Sequence, residues 1–150
     1  MSVDKIIVPV LQRVYVKDVS FESPDLHKAL SKPWKPDLKL DMNTRVHRLE
    51  AKVFEVTLSL TARVSNEAAL AYLVEIQQVG IFTADSTDDV LLKKILASEC
   101  PAILFPFARE CVSNLVTRGG FPQLLLSPVN FTELYHKALA EQVSASGTRH

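Results

Sequence analysis

The side chains best suited to chemistry are Cys100 and Cys111, the histidines at 27, 47, 136 and 150, and the adjacent pair Arg109-Glu110. A thiolate serves as nucleophile or metal ligand, and an imidazole as general base or ligand. Their spacing denies both uses. The two cysteines are eleven positions apart, which suits neither a zinc knuckle nor a CxxC redox pair. They read as reduced thiols in a cytosolic protein, and Cys111 lies on an apolar helical stripe, where a buried thiol is the expectation. His47 and His136 have no acidic or cysteine companions at ligand spacing, and no HExxH occurs. The four glycines, at 80, 119, 120 and 147, open neither GxxxxGK[ST] nor GxGxxG, so no phosphate-cradling loop is recognisable. Arg109-Glu110 reads as a surface pair of little energetic worth. Asn130-Phe131-Thr132 is a glycosylation sequon, which a cytosolic chain never presents to that machinery. The expectation is a protein that is not an enzyme, with no metal and no cofactor.

The chemistry that remains is apolar. Residues 101 to 132 carry only three charges, Arg109, Glu110 and Arg118. This stretch ends in Gly119-Gly120-Phe121-Pro122-Gln123-Leu124-Leu125-Leu126-Ser127-Pro128, a loop by its Gly and Pro content that nevertheless holds four large apolar residues. An apolar loop either packs on its own core or binds something, such as an extended peptide laid along a groove wall.

Regular elements must position these residues. From Val53 to Val64, Phe54, Val56, Leu58, Leu60, Ala62 and Val64 alternate with Glu55, Thr57, Ser59, Thr61 and Arg63, the period of a half-buried antiparallel strand. The turn Ser65-Asn66-Glu67 leads into a second strand, Ala69 to Phe82, where Gly80 suggests a bulge. An earlier strand, about Val8 to Ser20, looks two-sided, with Val14 and Val16 opposed to Leu11, Tyr15 and Val19. Cover from another subunit or plain edge exposure would each explain it. Phe21 to Ala51 is a proline-rich crossover around Trp34 that leads into a short strand at about Leu38 to Arg48. Residues 28 to 52 hold seven basic and three acidic side chains, either a solvated face or a binding patch.

Helices follow. Ser86-Thr87-Asp88-Asp89 caps a short helix that should stop before Pro101. A second should begin near Pro106, and Gly119-Gly120 should end it. Asn130 caps a third, with Glu133 at the capping-box position and Val143 to His150 frayed. Strands followed by helices make an α+β fold, an antiparallel sheet with helices on one face.

Length fits a single domain over residues 1–150, with flexible ends at about 1–7 and 143–150. Seventeen basic and seventeen acidic residues balance to a net charge of zero, which gives no electrostatic case for nucleic acid or an anionic membrane. MSVDKIIVPVLQRVY has no signal-peptide pattern, and no apolar run spans a bilayer, so a cytoplasmic location without membrane insertion is expected.

The blocks Cys100 to Cys111 (CPAILFPFAREC), Arg118 to Leu124 (RGGFPQL), Ser127 to Phe131 (SPVNF), Arg13 to Glu22 and Glu75 to Phe82 resemble the SecB family of protein-export chaperones. The match in order and spacing runs from about residue 10 to 140. The resemblance implies a homotetramer, a dimer of dimers, with four-stranded sheets outside and helices between. It implies an ATP-independent holdase that binds unfolded precursor proteins and delivers them to the SecA motor. It places an aromatic part of the client groove on Phe21, Trp34, Phe107 and Phe131. A shallower part falls on Leu38, Leu40, Met42, Leu124 and Leu126. SecA-facing positions fall on Asp18, Glu22, Leu73 and Glu75, and oligomer contacts on Val74, Ile76 and Gln78. Rival readings are a SecB-like chaperone dedicated to one client such as an antitoxin, and an oligomeric scaffold without a groove.

Members of that family are usually strongly acidic, whereas this chain is neutral and its tail, residues 144–150, has no acidic run. Fewer like charges repel across the assembly. Native mass should therefore change little between low and high salt, and marked tightening with added salt would contradict this.

Overall fold

The computed structural model describes residues 8–147, with side chains through 143; of the ends expected to be flexible, about 1–7 and 143–150, residues 1–7 and 148–150 lie outside these residues. Strict alternation makes the central strand β3, Val53–Asn66, with every even position from Phe54 to Val64 no more than 2% exposed. A two-residue turn at Glu67-Ala68 joins it to antiparallel β4, Ala69–Thr83, and Glu67 takes the left-handed conformation (φ 53°). On the other side of β3 lies β2, Pro36–Glu50, longer at both ends than the short strand anticipated. Strand β1, Val10–Glu22, pairs antiparallel with β4, giving the order β1-β4-β3-β2, the Greek-key arrangement.

Two expectations about this sheet need correction. Strand β1 is not two-sided in the way the alternation suggested. Register shifts at Gln12 and Lys17 each insert one unpaired residue. Leu11, Val14, Val16, Val19 and Phe21 thereby stand opposite Phe82, Gly80, Gln78, Ile76 and Val74, all on one face, because directly opposed antiparallel residues point the same way. Nor does Gly80 mark a bulge, since it pairs in register with Val14 and Val56. It is glycine because a Cβ there would sit 2.6 Å from the Phe82 ring and 2.7 Å from Leu104 of the covering helix.

That helix, α2, runs unbroken from Asp89 to Arg118, so the predicted stop before Pro101 and restart near Pro106 do not occur. Each proline removes one backbone donor and crowds the carbonyl one turn earlier, a local cost of about 3 kcal/mol. Burial outweighs it, with Cys100, Leu104, Ala108, Val112 and Val116 fully buried against the sheet. Asp88 caps the helix, its carboxylate accepting from Val90 N and Leu91 N at 3.1 and 3.2 Å. At the other end Gly120 N–H donates to Thr117 O and Phe121 N–H to Val116 O, a Schellman closure with Gly120 at φ 90°. Asn130 caps α3, Phe131–Gly147, accepting from Glu133 N at 3.0 Å as its sequence suggested; the helix continues past Val143 to Gly147.

The crossover between the sheet's two edges contains a short helix, α1, Leu26–Ala29, that the prolines had obscured. Buried Asn66 pins the crossover. Its amide donates to Ala29 O at 2.7 Å and Lys32 O at 3.4 Å, and its Oδ1 accepts from Lys35 N at 3.0 Å. Asn66→Ala leaves the buried Ala29 carbonyl and two part-buried backbone groups without this partner and should cost about 1–3 kcal/mol, read as a lower urea midpoint at unchanged slope. A loss within a few tenths would show that the crossover is held by packing alone.

Candidate functional site

The inner face of the sheet, the one α2 packs on, is unevenly covered. Opposite Val64, Ala62, Leu60 and Val56 of β3 stand Leu38, Leu40, Met42 and Val46 of β2. The β3 side chains are fully buried, whereas Leu38 and Val46 are 37% and 42% exposed. Leu40 and Met42 pack partly against the core. At the opposite edge Val16 and Val19, also on the inner face, are each 43% exposed. Helix α2 rests chiefly on β4 and β3, so the inner faces of both edge strands are apolar and half open.

The segment from Gly119 to Asn130 runs beside this face. Phe121 and Leu126 are buried, Leu124 and Val129 pack partly on the core, and Leu125 is 68% exposed. Gln123 ties the loop back to α2, donating to Ser113 Oγ at 3.1 Å. The loop thus packs on its own core and also presents a leucine to solvent.

Four rings form a chain at the crossover end. Phe21 stacks on Tyr72 at 5.8 Å, Tyr72 meets Phe121 at 4.9 Å, and Phe121 meets Trp34 at 5.8 Å. Phe21 and Trp34 were anticipated; Tyr72 and Phe121, which connect them, were not. Tyr72 shares the inner face with Val74 and Ile76, but only the β1–β4 register reveals that Phe21 lies beside it. Gly119 makes room, since a Cβ there would stand 2.3 Å from the Phe21 ring. The remaining two aromatic positions lie apart from these rings. Phe131 is buried and packs edge-on to Phe105 at 5.8 Å, while Phe107 is 42% exposed on α2. Phe131 and Met42 do share a cavity of about 280 Å³ with Leu134 and Tyr135 of α3, which ties β2 to that second aromatic pair.

The outer face is polar. Asp18, Glu22 and Glu75 are exposed and Leu73 half-buried there, and the register places Glu22 opposite Leu73 and Asp18 opposite Gln77, so the four form one patch. Val74, Ile76 and Gln78 face inward instead and are at most 3% exposed within this single chain; Gln78 Nε2 donates to Tyr15 O at 3.0 Å.

Nucleophilic chemistry finds little support. Burial, with the nearby Glu99 charge, pushes the Cys100 thiol up to about 12, and burial with Glu110 raises Cys111. Among the described residues no group of three or more His, Cys, Asp or Glu is placed to hold a metal ion. No described helix is long and apolar enough to cross a membrane.

The sequence profile described as preprotein translocase subunit SecB matches residues 5–142. The chain belongs to the SecB family. Curated relatives called protein-export protein SecB include one from Legionella pneumophila (Philadelphia 1), 45% identical over 139 residues, covering 93% of this chain and 86% of that one. Another, from Idiomarina loihiensis, is 50% identical over 133 residues, covering 88% and 80%. A solved Mycobacterium tuberculosis SecB-like chaperone, in complex with a peptide from the HigA1 antitoxin, superposes with a TM-score of 0.68 at 19% identity over 81% of this chain and 90% of that one. This last likeness bears on the fold, an α+β SecB-like sheet and helix layer. The SecB family is a family of chaperones and not of enzymes, and this member has a chaperone role in protein export.

The raised thiol and phenol have a consequence for this SecB chain. Burial also pushes Tyr72 up to about 12. The unfolded chain sheds these protons near 9 and 10 while the folded chain keeps them. Stability contributed by each group is therefore complete below the unfolded value and declines as pH rises toward 12. The slope should reach about 1.4 kcal/mol per pH unit per group. Urea denaturation from pH 8 to 11 should show the loss, shallower in Tyr72→Phe; a flat profile would contradict it.

Proposed function

We propose that this SecB-family chain is an ATP-independent cytoplasmic holdase that keeps unfolded precursor proteins translocation-competent and delivers them to SecA. The observation that carries this reading is the half-open apolar inner face along β2, bordered by Trp34 and by the loop with exposed Leu125. An unfolded precursor exposes apolar side chains and unpaired backbone groups, and its folded form hides both. Leu38, Leu40 and Met42 with Leu124 offer the apolar surface, backed by buried Leu126, and edge strand β2 offers backbone groups for an added strand. The site thus discriminates by folding state rather than by sequence. Several modest contacts along one chain combine through effective concentration, so tight wrapping needs no single strong pocket. Binding competes with folding, and slowly folding precursors are held preferentially.

In this reading the outward patch of Asp18, Glu22, Leu73 and Glu75 is the SecA-facing surface. The assembly is a homotetramer, a dimer of dimers. Its contacts cover Val16 and Val19 of β1, exposed apolar residues that a second copy would remove from water. Val74, Ile76 and Gln78, buried in one protomer, act on assembly by flanking Phe21, Val19 and Val16 of β1 on the same face. Phe107, exposed on α2, extends the client surface, and Phe131, buried beside Met42, supports it from within.

A slowly refolding export precursor, diluted from denaturant without nucleotide, should have its refolding arrested by stoichiometric protein, and the folded precursor should not bind. Leu38→Ser and Leu125→Ser, at exposed positions, should each weaken capture about five- to tenfold, the loss of one partly buried leucine contact. Unchanged refolding across several precursors would contradict the holdase reading.

A further inference from the structure

The basic character of residues 28 to 52 has no part in the reading above. One of its cations is held in a particular way. Arg48, near the far end of β2 from Trp34, lays its guanidinium over the Phe54 ring at 4.8 Å and donates from Nη1 to Ala51 O at 3.0 Å. Beside it opens a cavity of about 480 Å³, walled by Val46, Phe54, Leu92 and Leu96 and flanked by a second cation, Lys93. The volume suits one or two side chains.

We infer that this cavity is a further client subsite, one that takes an apolar side chain with a neighbouring carboxylate from an extended segment of the unfolded chain. The inference rests on the holdase reading and deepens it. Val46 belongs to the same inner-facing row of β2 as Leu38, Leu40 and Met42. From Leu38 to Val46 an extended strand covers about 27 Å at about 3.4 Å per residue, a distance that eight or nine residues of a bound extended chain also span. The cavity therefore continues the same row of β2, beyond the stretch at Met42 that α3 partly covers.

Charge gives the subsite its preference. The ion pairs among the described residues are Lys32–Glu67 and Lys52–Asp85, so neither Arg48 nor Lys93 is paired with a carboxylate. One carboxylate, Asp89, also lines the cavity. It stands in the first turn of α2, where the positive end of the helix dipole favours it, and the lining still holds two cations to one acid. Arg48 is already oriented by its ring contact and its hydrogen bond, so engaging a carboxylate orders little further.

Two labelled twelve-residue peptides, identical in their leucine and phenylalanine content but bearing either Glu or Gln beside the apolar residues, provide the test by fluorescence anisotropy. The Glu peptide should bind about fivefold more tightly at low salt, the advantage closing as screening grows toward about 0.5 M. Lys93→Glu, at an exposed position, should abolish or invert that advantage by weakening the Glu peptide far more than the Gln peptide. Arg48→Gln should do the same, checked by thermal unfolding because it also removes the contact with Phe54. Equal affinity for the two peptides, or an advantage that survives Lys93→Glu, overturns the inference. If neither peptide binds but an unfolded precursor is still held, the subsite fails and the holdase stands; if the precursor is not held either, both fail.

Discussion

One helix cannot cover four strands. Neighbouring strands lie about 4.8 Å apart, and a helix with its side chains is about 10–12 Å across. A single helix thus shields about two strands, and α2 takes β3 and β4, whose inward side chains are all but sealed from water. The edge strands are left half covered, with Val16 and Val19 on one side and Leu38 and Val46 on the other. Helix α3 covers part of the deficit near Met42. What remains is an apolar margin on either flank of the helix, and the proposed activity follows from it. In this account one margin joins the chain to its copies and the other receives clients.

Holding such margins open requires a rigid frame. The loop beside β2 begins at a Schellman closure of α2, where Gly120 supplies the left-handed turn and Phe121 folds back toward Val116. The crossover that carries Trp34 is tied to the β3–β4 turn through Asn66, and the Tyr72 and Phe121 rings join the two supports. Apolar groups facing water are kept in place from behind, by hydrogen bonds and ring contacts within one chain. In the proposed reading, such a margin would not need to close around its client, which suits clients of no fixed shape.

Much of this was legible in local pattern, and the losses have identifiable causes. The alternation in β3 reported its buried face correctly, since a strand flanked on both sides has no freedom to deviate. Strand β1 misled because its two bulges belong to the pairing with β4 and leave no mark in composition. Pro101 and Pro106 suggested two helices, and local propensity was overruled by the row from Cys100 to Val116 that packs only if the helix is continuous. Short helix α1 hid among prolines, and the importance of Asn66 appears only when three stretches of backbone converge on it. Resemblance to a family pointed to Phe21 and Trp34 but not to Tyr72 and Phe121, the rings that connect them in the fold. The same resemblance grouped four aromatic side chains that the fold distributes over three places.

The central claim is that unfolded chain settles on the inner, half-covered margin along β2. Hydrogen exchange of the protein with and without a bound unfolded precursor tests it most directly, because edge-strand amides report an added strand. The account predicts new protection along β2 from Leu38 to Val46 and in the loop from Phe121 to Leu126, with little change on β3. Protection confined to other segments, with β2 exchanging as freely as before, would contradict it.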